Sequence, residues 1–199
     1  MTEELVKEEI LVNVTSTEVR AALLENGVLQ EVYIERSTRR GIVSNIYKGR
    51  VSRVLPGLQA AFIDIGLERT AFLHASDITT PDAAENNGDA PNIKDLVREG
   101  DGIMVQVVKE PLGNKGARLT TSITLPSHYL VLLPHSDSVR ISARIEDDDE
   151  RERLRDMVEV LLKEQGLECG AIVRTVAEGA APEAIMANLR YTLKLWDVV

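Results

Sequence analysis

The stretch NIYKGRVSRVLPGLQAAFIDIG (residues 45–66) holds two β-type runs split by a turn at Pro56-Gly57, and RTAFLHASDI (69–78) follows with a third. Successive side chains of a strand point to opposite faces, so the sequence itself sorts them. In residues 60–65, Ala61, Ile63 and Ile65 share one face, while Phe62 falls with Asp64 on the other. In residues 70–74, Ala71 and Leu73 share a face, and Phe72 falls with Thr70 and His74. A phenylalanine ordinarily fills a core. Here the alternation places both phenylalanines of the chain on the polar side of their strands.

Outward from this stretch, residues 41–124 keep a β pattern. Candidate strands are Ser44–Val54, Gln59–Ile65, Thr70–His74, Gly102–Val108 and Arg118–Ile123. Turn signals at Pro56-Gly57, Gly66-Leu67-Glu68 and Gly113-Asn114-Lys115-Gly116 separate them. A Pro/Asn/Asp-rich excursion (Thr79 to Asn92) and a helical turn (Ile93 to Arg98) precede the fourth strand. Five strands so connected predict an OB-fold barrel of the S1 type over residues 40–124.

The flanks read as mixed α and β. Ile10 to Val14 alternates as a strand. Thr15 with Glu18 then fits a capping box, with Val14 and Val19 as a hydrophobic staple, predicting a helix that stops at Gly27. Val28 to Ile34 is the next strand. Such a piece, residues 1–39, is too small to bury a core alone. Beyond Pro126, strands are expected at Tyr129–Leu133, Ser138–Ile145 and Gly170–Thr175, with amphipathic helices at Glu150–Glu164 and Pro182–Val198. That makes residues 125–199 a small α+β domain. No closing element follows the last helix, and the expectation is that the chain is cut from a longer one.

With 44% apolar residues, the 199-residue chain has the composition of a soluble globular protein. No apolar run approaches the roughly 20 residues of a membrane helix. The acidic start MTEELVKEEI lacks the apolar region of a signal peptide, so the expected location is cytoplasmic, with no membrane insertion. A single cysteine, Cys169, allows neither an internal disulfide nor a cysteine-built zinc site. The net charge of −9 opposes nucleic-acid binding, yet residues 36–53 hold Arg36, Arg39, Arg40, Lys48, Arg50 and Arg53 with no acid among them. Such a stripe is either a solvated face or a track for a phosphate backbone.

The outward phenylalanines favour the second reading. Exposed aromatics on adjacent barrel strands stack on unpaired bases at about 1–3 kcal/mol per base. Lys48, Arg50 and Lys115 are then candidate phosphate contacts, with single-stranded RNA the expected partner. Arg174-Thr175, at the end of the apolar run Ala171-Ile172-Val173, pairs a guanidinium fork with a hydroxyl. That suits a terminal phosphate, although from the residues alone a strand-end salt bridge is the expected reading. The acidic run 146–152 opens a helix, where acids suit the positive end, so a solvated face is its expected role.

The segments quoted above, with GNKGARLTTSITLPSHYLVLLP (113–134), ILVNVTSTEVRAALLENGVLQEVYIERSTRRGIV (10–43), RISARIEDDDERERL (140–154) and AIVRT (171–175), closely resemble the N-terminal region of the bacterial ribonuclease E/G endoribonucleases. The likeness runs from Ile10 to Trp196. It implies that residues 1–39 belong to an RNase H-like subdomain interrupted by the S1-type barrel, and that residues 125–199 form a 5′-sensor domain. It also implies that Phe62, Phe72 and Lys115 contact RNA, that His74 is the surface histidine of such barrels, and that Arg174, Thr175 and the backbone of Val131 hold a 5′-monophosphate. The family acts in rRNA processing and mRNA turnover, cuts RNA with Mg2+ in a DNase I-like domain, and joins protomers through zinc-bound cysteines. No string of the VDIN or IIIDFIDM kind occurs here. No catalytic residue, metal ligand or cofactor is therefore expected in this chain, which should be inactive alone, while the full-length enzyme would be a homo-oligomer. A stand-alone RNA-binding module, or an OB barrel that binds protein, are the alternatives.

Overall fold

The computed structural model describes residues 7–38, 40–79, 91–166 and 169–199, and the chain divides into two units, Met1–Ile42 and Val43–Val199. The predicted excursion at 79–92 lies almost wholly outside the described residues.

In the first unit, strands β1 (Glu8–Val14), β2 (Glu18–Glu25) and β3 (Val28–Arg36) form an antiparallel sheet in that order. The helix predicted between Thr15 and Gly27 is absent; those residues are β2 and its two turns. The Thr15 hydroxyl does accept the Glu18 N–H at 3.1 Å, as a helix cap would, but this closes the β1–β2 turn. At the other end Asn26 and Gly27 take φ of 50° and 79°. Two left-handed residues between paired Glu25 and Val28 make the two-residue hairpin turn that Asn-Gly favours. Apolar residues of this sheet, among them Ile10, Val12, Val28 and Tyr33, stay more than half exposed. Among the described residues of this unit none is buried.

The second unit begins with the barrel: β4 (Ile46–Leu55), β5 (Ala60–Asp64), β6 (Ala71–His74), α1 (Ile93–Leu96), β7 (Gly102–Lys109) and β8 (Arg118–Thr120). The strands close in the order β4-β5-β6-β8-β7, with β6 and β8 parallel and the other pairs antiparallel. Inward positions follow the predicted alternation: Val51, Ala61, Ile63, Ala71, Leu73 and Leu119 are essentially inaccessible. Gly49 lies among them because a Cβ there would stand 2.5 Å from Ile63 Cγ2. A polar strap closes the barrel. The amide of buried Gln106 donates to the carbonyls of Ser44 (3.0 Å) and Thr124 (2.9 Å) and accepts the Thr124 N–H at 2.9 Å, so both polar atoms of this buried side chain are satisfied.

After the barrel come β9 (Leu125–Pro126), β10 (Leu130–Leu133), β11 (Val139–Ile141), α2 (Asp148–Glu164), β12 (Gly170–Val173) and α3 (Pro182–Val198). The sheet order is β11-β12-β10-β9, with β11 and β12 parallel. Leu130, Leu132, Ala171 and Val173 pack one face of it against Leu154 and Val158 of α2 and Ile185 and Leu189 of α3. The strand predicted at Ser138–Ile145 is shorter than expected and ends at Ile141. The acidic run begins α2 as anticipated, with the Asp147 carboxylate accepting the N–H groups of Asp149 and Glu150. Among the described residues no helix is long and apolar enough to cross a membrane.

Candidate nucleic-acid interface

The register of β5 and β6 sets Phe62 directly opposite Phe72. Both rings are half-buried on the outer face, 6.2 Å apart and edge to face at 68°. Each keeps part of its π surface toward solvent while the edge contact steadies the pair. The His74 ring follows on the same strand, 6.4 Å from Phe72. Its Nδ1 accepts the Ser76 N–H at 3.2 Å; a neutral ring held so carries its proton on Nε2.

The predicted cations divide. Lys115 sits in the hairpin between β7 and β8, where Leu112 and Lys115 exchange backbone bonds across Gly113-Asn114. The Arg69 guanidinium donates to the Gly113 carbonyl and ties this hairpin to the approach to β6. Lys48 and Arg50 are exposed on β4, where Lys48 pairs with Met104 and Arg50 lies between Gly102 and Asp64. The cation opposite Phe62 is Arg53, a member of the basic stripe but not one of the three cations singled out from it and from the hairpin. A β-bulge between Val51 and Arg53 sets two residues against one and turns Arg53 to the outer face, where strict alternation would send it inward.

The second candidate group lies on the four-stranded sheet. Val131 of β10 pairs with Ile172 of β12, both on the face of the sheet opposite the helices, and Arg174 follows directly after β12. Among the described residues Arg174 has no salt-bridge partner. Its Nη1 donates to the carbonyls of Ser127 (2.7 Å) and His128 (3.2 Å). The turn bearing those carbonyls is itself held from α3, where Asn188 Oδ1 accepts the Ser127 hydroxyl (2.7 Å) and the Tyr129 N–H (3.0 Å). The Thr175 hydroxyl lies 3.0 Å from that of Ser142, a neighbour that sequence spacing gave no means of finding. The loop after Thr175 is pinned by Glu150, which accepts the Gly179 N–H at 2.8 Å and pairs with Arg153 through two bonds of 2.6 and 2.7 Å. Those donors hold the Glu150 carboxyl well below its usual range, at about 2. Burial pushes the Cys169 thiol up, away from the reactive thiolate.

Comparison with known proteins bears directly on both regions. Residues 42–122 match the S1 RNA binding domain, and residues 124–199 match the ribonuclease E/G family. The chain is 55% identical over 197 residues to ribonuclease G of Salmonella typhimurium and 55% over 196 to that of Escherichia coli K12, covering 96% of this chain and 40% of each relative. Ribonuclease E of Escherichia coli K12 is 41% identical over 194 residues, covering 96% of this chain and 18% of that protein. The chain thus spans about two-fifths of the length of the ribonuclease G proteins it matches. Over 96% of its own length the chain is thus similar to both enzymes, and it is more similar to ribonuclease G than to ribonuclease E.

Proposed function

We propose that this chain is the RNA-holding part of a ribonuclease G-like endoribonuclease, a cytoplasmic homo-oligomer acting in rRNA processing and mRNA turnover. The barrel grips single-stranded RNA by stacking bases on Phe62 and Phe72, with Lys115 and His74 beside them. The observation that carries this reading is the paired, outward-facing rings on adjacent strands of a barrel that matches the S1 RNA binding domain. Residues 125–199 act as a 5′-sensor. Arg174 is held by two carbonyls through Nη1, so Nε and Nη2 can fork onto a terminal monophosphate beside the Thr175 hydroxyl and the Val131 backbone. Residues 1–39 are an RNase H-like segment that the barrel interrupts.

Two modest contacts on one RNA reinforce each other through effective concentration. The test is a fluorescence anisotropy titration with one unstructured RNA carrying either a 5′-monophosphate or a 5′-hydroxyl. The monophosphorylated form is expected to bind more tightly, and Arg174→Ala to abolish the difference. Equal affinities in the parent would refute the sensor, while no binding of either RNA would refute the barrel reading as well.

A further inference from the structure

We infer that Arg53 and Arg118 are phosphate-binding residues that bracket the two phenylalanines, so that the barrel site holds two stacked nucleotides between two guanidinium groups. The inference rests on the reading of the barrel as a single-stranded RNA site.

The register joins four side chains into one row running across the strands: Arg53 opposite Phe62, Phe62 opposite Phe72, and Phe72 beside Arg118 in the parallel β6–β8 pair. Side chains in such a row share a face, and the inward neighbours Ile63, Ala71, Leu73 and Leu119 confirm which face it is. With strands about 4.8 Å apart, the four positions cover about 14 Å. Two bases on the two rings leave their flanking phosphates to the ends of the row, and both ends are cationic.

The Arg118 end is built rather than merely charged. Its Nε and Nη2 donate to the two carboxylate oxygens of Asp77 at 3.0 and 3.2 Å. Asp77 is in turn fixed by its own carbonyl, which accepts the Thr121 N–H at 2.9 Å and the Thr120 hydroxyl at 2.8 Å. Asp77 is therefore a positioning residue: it fixes the plane of the guanidinium and occupies neither hydrogen of Nη1. A fork held this way loses little rotamer freedom on meeting a phosphate. Among the described residues the Arg53 end has no such brace, and its direction is set by the bulge.

Counterion release makes the claim measurable. Each phosphate contact to a single strand contributes about 0.7 to the slope of log affinity against log salt. The experiment titrates a fluorescent uridine decamer at KCl concentrations from 50 to 200 mM with the full chain. Arg53→Gln and Arg118→Gln are each expected to lower the slope by about 0.7, so that their affinity falls roughly 2.6-fold less than the parent's over that range. Arg155→Gln, an exposed cation of α2, should keep the parent slope. An unchanged slope in either row variant overturns the inference, provided Phe62→Ala and Phe72→Ala weaken binding. If the phenylalanine variants bind like the parent, the barrel reading itself is what fails. Should Arg118→Gln prove poorly folded for want of its Asp77 partner, Arg118→Lys keeps the charge, and the inference then requires the parent slope with reduced affinity.

Discussion

Replacing Gly116 with alanine tests how tightly the Lys115 hairpin is tied to the strand that carries Phe72. A Cβ at this position would stand 1.9 Å from the Thr70 carbonyl oxygen and 2.9 Å from its carbon, where real Cβ atoms come no nearer than 3.0 Å. Both partners are backbone, so no side chain can swing aside. The segments must part by at least about 1.1 Å, the shortfall from that limit. Nearby, the Phe72 N–H donates to the Ala117 carbonyl at 2.7 Å, and the same opening would stretch that bond to about 3.8 Å, past any useful length. Losing the bond costs about 1 kcal/mol and the overpacking about 1–3 kcal/mol, or about 2–4 kcal/mol together. In urea, with a slope of about 2 kcal/mol per molar, the middle of the usual range, the unfolding midpoint of the barrel should fall by about 1–2 M. Circular dichroism during urea unfolding follows it, with Gly57→Ala as the control because a Cβ there meets nothing within 4 Å. A Gly116→Ala midpoint equal to that of Gly57→Ala would refute the close approach and the placement of Lys115 built on it.

The other predictions concern single contacts. Phe62→Ala and Phe72→Ala should each weaken binding of single-stranded RNA by about 1–3 kcal/mol in an anisotropy titration, and parent-like binding by both would contradict stacking. Asn188→Ala frees the turn that supplies carbonyls to Arg174. It should reduce the preference for 5′-monophosphorylated RNA while leaving binding of 5′-hydroxyl RNA unchanged. Glu150 has a folded-state pKa of about 2 against an ordinary 4.5, so its stabilising effect is complete above pH 4.5 and disappears as the pH falls through about 2. Glu150→Gln should accordingly be less stable than the parent at pH 7, with the gap closing on acidification. Asp147→Ala removes the cap of α2 and should cost about 1 kcal/mol in thermal unfolding.

The barrel was legible because its signals are local. Alternation in residues 60–65 and 70–74 placed Ala61, Ile63, Ala71 and Leu73 inward and both phenylalanines on the other face, as the structure has them, although Ala60 is buried as well. The same locality failed at residues 15–27. Thr15 and Glu18 make their hydrogen bond in either a helix cap or a tight β turn, and Gly27 was read as a helix stop when Asn26-Gly27 is the stronger hairpin signal. The placement of Arg53 opposite Phe62, beyond its membership of the basic stripe, was out of reach for a different reason. A bulge is defined by what lies across the ladder, and nothing within residues 50–54 announces it. The carbonyls that hold Arg174 come from 46 and 47 residues away, so its partner could only be guessed as an acid.

The Gln106 strap has a consequence for how such a barrel travels between proteins. One amide nitrogen bonds both Ser44, just before the first barrel strand, and Thr124, just after the last. The two carbonyl oxygens therefore lie within about 6 Å of each other, each at hydrogen-bond length from the same atom. A domain whose two ends meet can be spliced into a surface loop of a host fold with little more disturbance than a hairpin. It can also be excised, or joined end to end by a short linker and reopened at Pro56–Leu58 as a circular permutant.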